Sequence, residues 1–254
     1  MSGSVTTAST PVTAARLWVL IPVKELVNAK QRLSGILSPG ERRALSQAMV
    51  EDMLQVLASV PGIDGVLLVS DDSTADLLAY RYNVRLLAED SPSRGLNAAV
   101  TQGAAHLWGL NASHMLVLHG DLPLIRAEDI GRLIADLPPP GSLLVRLVAD
   151  ASNEGSNALL CSLPAPIDFC YGPHSFERHH LACARRRVAW QQYSLASIAL
   201  DIDSPRDLQA LIRGLFDLGA AGAGSKTTAM LEKYAVEERV QQMSRGSSSD
   251  VATT

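Results

Sequence analysis

Three aspartates carry the clearest chemical signal in this sequence. Asp121 follows the apolar run "MLVL" in "HGDLPLI", and Asp201 and Asp203 stand two apart in "ALDIDSPRDL". An apolar run that stops on Gly-Asp-Leu-Pro reads as a buried strand with one carboxylate at its end. Residues two apart on a strand point the same way, so Asp201 and Asp203 can face one site. Such a set suits Mg²⁺, which is typically held by one or two carboxylates together with substrate phosphates. The plainer reading of Asp203 is an Asp-Ser-Pro turn that starts a helix.

A second group is cationic. Lys24, Lys30 and Arg32 lie within nine residues in "PVKELVNAKQRL", directly after another apolar run. A loop of this kind can wrap the phosphates of a nucleotide, and a solvated basic loop is the alternative. It is neither a GxxxxGK[ST] nor a GxGxxG loop. In "SRGLNAAV", Arg94 and Gly95 precede a helix start, where backbone N–H groups can meet an anion, and Asn97 can read a base edge through its amide. In "CYGPHSFERHH", Gly172-Pro173 makes a tight turn and the Ser175 hydroxyl can meet a bound anion. His174, His179 and His180 lack a standard metal-ligand spacing, because a helix separates neighbouring residues by about 100°. No GxSxG elbow is present. If the acceptor is itself a phosphate, its oxygen is already an anionic nucleophile, and alignment with charge neutralisation suffices.

The elements that must hold these residues alternate between strand and helix. "LWVLIPV" (17–23), "DGVLLVS" (64–70), "VRLLAE" (84–89) and "HMLVLHGD" (114–121) read as strands. Helices are expected over 38–60, with Ser38 as N-cap and Pro39 in the first turn, over 73–82, capped by Ser73 or Asp72, and over 95–110. Consecutive apolar positions suit a parallel sheet covered on both faces, and the alternation implies a doubly wound α/β domain. Ligands then bind outside the carboxyl ends of the strands, where the residues singled out above fall. Beyond residue 140 "GSLLVRLVAD", "SNALLCSL" and "RVAWQQYS" read as strands with one clear helix, "HSFERHHLACARR", which suggests a mixed half-sheet. "SIALDIDSPRDLQALIRGLF" reads as a strand, a capped turn and the last domain helix. Residues 1–15 are expected as a disordered tail, 16–218 as one domain, and 219–254 as a linker, a peripheral helix and a disordered end.

Composition removes several classes of function. With 47% hydrophobic and 19% charged residues the chain is expected to be globular, and a net charge of −4 gives no field for nucleic acid. No apolar stretch reaches the roughly 18 residues needed to span a bilayer, and "LWVLIPV" meets Lys24 too soon for a signal peptide. Three cysteines without a CxxC pair argue against a disulfide framework and a zinc site, and fit free thiols in a reducing cytoplasm.

The set "PVK…NAKQRL", "GLNAAV", "HGDLPLI", "GSNALL", "YGPHSFERH" and "LDIDSPRDL" resembles, over roughly residues 17–215, the 2-phospho-L-lactate/phosphoenolpyruvate/3-phospho-D-glycerate guanylyltransferases of coenzyme F(420) biosynthesis. The resemblance implies a single-domain nucleotidyltransferase of the glycosyltransferase-A type, Rossmann-like, with a mostly parallel sheet. It implies transfer of GMP from GTP to a phosphorylated three-carbon acid with Mg²⁺ and release of pyrophosphate. Asp121, Asp201 and Asp203 then correspond to the metal ligands. Lys24, Lys30 and Arg32 match the GTP-phosphate loop, with Lys24 and Asp121 catalytic, and Gly95 and Asn97 nucleotide contacts. Gly172 and Ser175, with Ser156 or Asn157, correspond to contacts with the acceptor. His174 and Phe176 stand where a smaller pair would intrude less on the acceptor pocket. Asn157 and His174 could serve an extra hydroxyl, which leans the acceptor toward 3-phosphoglycerate. A homodimer is compatible with the sequence; neither nucleic acid nor membrane is expected as a partner. The rivals are a sugar-nucleotide synthase on the same fold and a non-catalytic GTP-binding subunit.

Overall fold

The computed structural model describes residues 14–24, 30–89, 95–218 and 224–249. Residues 1–13 of the expected tail, 25–29 of the cationic loop, Arg94, 219–223 of the expected linker and 250–254 lie outside the described residues, as do the side chains of 217, 218 and 244–249.

Seven strands form one sheet in the order β3-β2-β1-β4-β6-β5-β7. They are β1 (Leu17–Pro22), β2 (Gly65–Ser70), β3 (Arg85–Ala88), β4 (His114–Leu118), β5 (Val145–Ala149), β6 (Ser156–Ser162) and β7 (Gln191–Tyr193). The helices, in chain order, are α1 (Pro39–Ala58), α2 (Ser73–Tyr82), α3 (Leu96–Gly109), α4 (Ala127–Ile134), α5 (Ser175–Arg186), α6 (Ala196–Ala199), α7 (Pro205–Leu218), α8 (Ser225–Lys233) and α9 (Val236–Ser249).

β1 is buried along nearly its whole length because both its faces are covered. Leu17, Val19 and Ile21 pack with α1, α2 and α4. Trp18 and Leu20 pack on the opposite face with α3 and α5. β1 pairs in parallel with β2 and β4, β2 with β3, and β5 with β7. β6 alone runs against its neighbours β4 and β5. The sheet is therefore mostly parallel, with the mixed half the sequence suggests. The reversal has a functional consequence: the first residues of β6, Ser156 and Asn157, lie at the same edge as the last residues of β4.

α1 begins with a complete capping box, in which Ser38 N–H donates to Glu41 Oε2 (2.7 Å) and Glu41 N–H to Ser38 Oγ (3.4 Å). The cap of α2 is Asp72, whose Oδ1 accepts from Thr74 N–H at 2.7 Å. One expected strand is absent. "SIALDID" forms the short helix α6 and an extended segment without ladder pairing, so Asp201 and Asp203 sit on a loop. Ile198 and Ile202 are both fully buried, and this four-residue apolar spacing is met by a helical turn and a loop instead of a ladder.

The C-terminal residues form two packed helices. A third apolar cluster joins Leu33, Ile36, Leu37, Leu45 and Met49 to Ile202, Leu208 and Leu211, and to Met230, Leu231, Val236 and Val240 of α8 and α9. Among the described residues no helix is long and apolar enough to cross a membrane.

Candidate active site

The carboxyl edge of the sheet, around β1, β4 and the start of β6, gathers most of the residues singled out in the sequence. Asp121 lies three residues past the end of β4. One atom from each of the carboxylates of Asp121, Asp201 and Asp203 lies within 4.8 Å of the others. Asp203 reaches this position because the start of α7 fixes its backbone: Asp207 Oδ2 accepts from the N–H groups of Asp203 (3.1 Å) and Ser204 (2.7 Å). The turn-and-helix-start reading of "DSPRD" therefore holds, and that helix start leaves the Asp203 carboxylate beside those of Asp121 and Asp201.

Lys30 closes the cluster. Its backbone is left-handed (φ 54°) and its carbonyl accepts from Leu33 N–H at 2.9 Å, which turns the chain into the 3-10 turn over Gln31–Leu33. Its ammonium donates to Asp121 Oδ2 and, at 2.8 Å, to Asp203 Oδ1. Burial alone would lower the Lys30 pKa, but the two carboxylates outweigh it and hold the value above the ordinary lysine range. Burial likewise pushes Asp121 upward, and the Lys30 ammonium reverses this, holding the carboxyl below the usual carboxylate range. For Asp201 burial wins, with the charge of Asp121 adding to it, and the pKa is raised although Asn157 donates to its Oδ1 at 3.2 Å.

An all-carboxylate donor set of this size fits a hard divalent cation. Asp121 supplies a second observation: its Oδ1 is buried without a hydrogen-bond partner among the described residues. A buried oxygen left in this way carries a desolvation cost that a bound cation would remove.

The expected acceptor contacts form the support of this edge. Ser156 N–H donates to Ser175 Oγ (2.9 Å), and both residues are buried. The amide of Asn157 donates to Ile198 O (3.0 Å) and Ala199 O (3.1 Å) as well as to Asp201. Asn157 thus pins the loop that carries Asp201, which the sequence did not suggest. Gly172 turns with φ 115°, a conformation that favours glycine, and its carbonyl accepts from Ser175 N–H at 3.1 Å. Asn97 is engaged on both sides of its amide, donating to Tyr171 O (3.1 Å) and accepting from Tyr171 N–H (2.6 Å). In this arrangement it ties α3 to the Gly172 turn. Gly95, at φ 137°, is the N-cap of α3. Lys24 and Arg32 are exposed on either side of residues 25–29, and among the described residues the ion pairs to the carboxylate cluster come from Lys30.

Two neighbouring histidines make contacts that the sequence reading did not anticipate. His179 is buried, accepts from Cys170 N–H at Nε2 (2.9 Å) and lies 3.0 Å from Ser156 Oγ at Nδ1. Nε2 is therefore the unprotonated nitrogen, and Nδ1–H donates to the serine. His119, two residues before Asp121, has a buried Nε2 without a hydrogen-bond partner among the described residues and packs at a tilt against Tyr171, with ring centroids 5.4 Å apart. His174 and His180 are exposed, so the three histidines do not converge. A spacing rule had no signal for either contact, since both arise where β4, β6 and α5 meet.

The fold is shared with a solved chain described as a nucleotide-diphospho-sugar transferase of Desulfovibrio desulfuricans G20, at TM-score 0.70 and 16% identity over 90% of this chain and 98% of that one. The sequence, through the family model and the relatives it matches, makes the molecule a nucleotidyltransferase. Within that class, the sequence model of the family described as "Guanylyl transferase CofC like" matches residues 17–250, and the chain belongs to this family. The match runs past Leu218 and takes in α8 and α9, further than the motif resemblance reaches. Among its relatives are the phosphoenolpyruvate guanylyltransferases of Conexibacter woesei (37% identical over 76% of this chain and 86% of that one) and Sphaerobacter thermophilus (32% identical, 82% and 98%).

Proposed function

We propose that this enzyme transfers GMP from GTP to the phosphate of a phosphorylated three-carbon acid and releases pyrophosphate. The observation that carries the reading is the cluster of Asp121, Asp201 and Asp203 with the Lys30 ammonium between two of them. Mg²⁺ held by the three aspartates would supply charge neutralisation of the triphosphate. Lys24, Lys30 and Arg32 steer and hold the phosphate chain from the loop after β1. A phosphate oxygen of the acceptor forms a bond to the α-phosphorus of GTP, the bond from that phosphorus to the bridging oxygen breaks, and the electron pair leaves with pyrophosphate. The nucleophile is already anionic, so no protein base is needed. In this reading Gly172 and Ser175 meet the acceptor, with Ser156 and Asn157 holding the edge in place.

The relatives above are named for phosphoenolpyruvate. The amide of Asn157 is engaged within the protein, which weakens the case for an additional acceptor hydroxyl. Phosphoenolpyruvate is therefore the first acceptor to test, with 3-phosphoglycerate and 2-phospholactate beside it. Coenzyme F(420) biosynthesis is the setting this chemistry fits. The experiment is incubation with GTP, Mg²⁺ and each acid, with the product identified by mass. Asp121→Asn is expected to lower turnover by a factor on the order of 10³, as expected for loss of a preorganised charge at the reacting centre, while leaving the folded structure in place by circular dichroism. Near-native turnover in Asp121→Asn would remove its metal role.

A further inference from the structure

Lys30 crowds the carboxylates that a cation bound by this cluster would use. A divalent ion of this kind sits about 2.1 to 2.5 Å from each carboxylate oxygen. The three ligand atoms span no more than 4.8 Å, so such an ion falls between them. The Lys30 ammonium already lies between two of these carboxylates, bonded to Asp121 Oδ2 and 2.8 Å from Asp203 Oδ1. Two positive centres cannot share oxygens at these separations without strong repulsion.

We propose that Lys30 is an exchangeable internal counter-ion. In the nucleotide-free protein it holds Asp121 and Asp203 together; when a divalent cation is bound it releases both oxygens and turns to the phosphates of the nucleotide. This rests on the metal-centre reading given above. Three features suit the exchange. Asp121 Oδ1 is buried and unpartnered, so it offers a first ligand before Lys30 departs. The Lys30 carbonyl is anchored by Leu33 N–H at 2.9 Å, so the motion is a rotation of the side chain and leaves the turn in place. A lysine is also the better residue for it, because its ammonium is a point charge on a four-carbon stem that can move between two anionic partners.

The exchange predicts an unusual sign. Loss of a lysine from a nucleotide site ordinarily weakens every ligand. Here Lys30→Met should bind Mn²⁺ roughly tenfold more tightly than the native chain in the absence of nucleotide, within the usual range for two ligands that compete through one site. The same variant should bind Mg·GTP more weakly. Lys30→Arg should keep the native Mn²⁺ affinity, and Lys30→Gln serves in place of Lys30→Met if that chain does not fold. Titration of Mn²⁺ by calorimetry reads these outcomes without any turnover. In the native protein, a ¹⁵N-lysine NMR signal from the bridged Lys30 ammonium should disappear or shift as Mg²⁺ saturates. Equal or weaker Mn²⁺ binding by a folded Lys30→Met chain, or an ammonium signal unchanged at saturating Mg²⁺, would overturn the exchange while leaving the metal centre standing. If the native chain binds no divalent cation at all, the metal centre itself falls, and the exchange with it.

Discussion

His179 shows how a single residue links pH to the integrity of the site. Burial, then the charge of Arg178 and the proximity of His119, pull its pKa down from 6.5 to about 4. The folded chain therefore resists a proton that the unfolded chain accepts readily. Stability from this group is complete above the unfolded value near 6.5 and is lost as pH falls toward 4. From pH 7 to pH 5 the loss comes to about 2 kcal/mol by linkage. His179→Gln keeps a donor and an acceptor but does not titrate. Urea unfolding should show the native chain losing its advantage over the variant across that interval. A constant gap between the two chains from pH 7 to pH 5 would show that His179 does not titrate in this way. The site would feel the change because Ser156, which hydrogen-bonds to His179, adjoins Asn157, and Asn157 pins the Asp201 loop.

At the scale of elements, the turn that carries Lys30 is held by groups distant in sequence. Leu33, Ile36 and Leu37 pack into the cluster completed by α8 and α9. Arg239 of α9 donates to Ile36 O and to Glu41 Oε1 (2.8 Å), the residue that closes the α1 capping box. Arg239→Met keeps the apolar stem and removes the bonds. The expected outcome is a rise of roughly fivefold in the KM for GTP, of the size expected when one hydrogen-bonded clamp is lost, with the KM for the acid unchanged. Steady-state kinetics with each substrate varied in turn checks it, and equal changes in both constants would point to general loosening. None of this long-range bracing was legible in the sequence. What was legible followed from local rules: the buried strands β1, β2 and β4, the N-cap at Ser38 and the helix start at Ser204. Asp121 and Lys30 could be singled out because charges gathered in the loops that follow buried strands have few structural reasons to be there. The loop position of Asp201 was missed because burial of Ile198 and Ile202 is a tertiary matter. Asn157 and Asn97 read as ligand contacts because an amide suits a ligand as well as a backbone, and only the fold adds the backbone partners that each one meets.

At the scale of the whole molecule, the C-terminal helices act as part of the core. Met230, Leu231, Val236 and Val240 are all at least nine-tenths buried. Asp52, itself buried in α1, accepts from the N–H groups of Lys226 and Thr227 at 2.8 Å each, so α1 caps α8 directly. Ending the chain after Leu218 would remove four buried apolar side chains, each contributing roughly 1.5–3 kcal/mol. It would also leave the Asp52 carboxylate without its two donors, at a further cost of about 1–3 kcal/mol. The sum is on the order of 10 kcal/mol, comparable with the whole stability of a domain. The shortened chain is therefore expected to be unfolded or aggregated at 25 °C, a stronger outcome than loss of a peripheral helix would give. Leu33, Ile36 and Leu37 would lose their cover, so Lys30 would lose its foundation in any fraction that did fold. Circular dichroism and size-exclusion chromatography of the shortened chain decide it. A monomer with native helix content and an unchanged melting temperature would show that 17–218 holds its own core and that α8 and α9 are accessory.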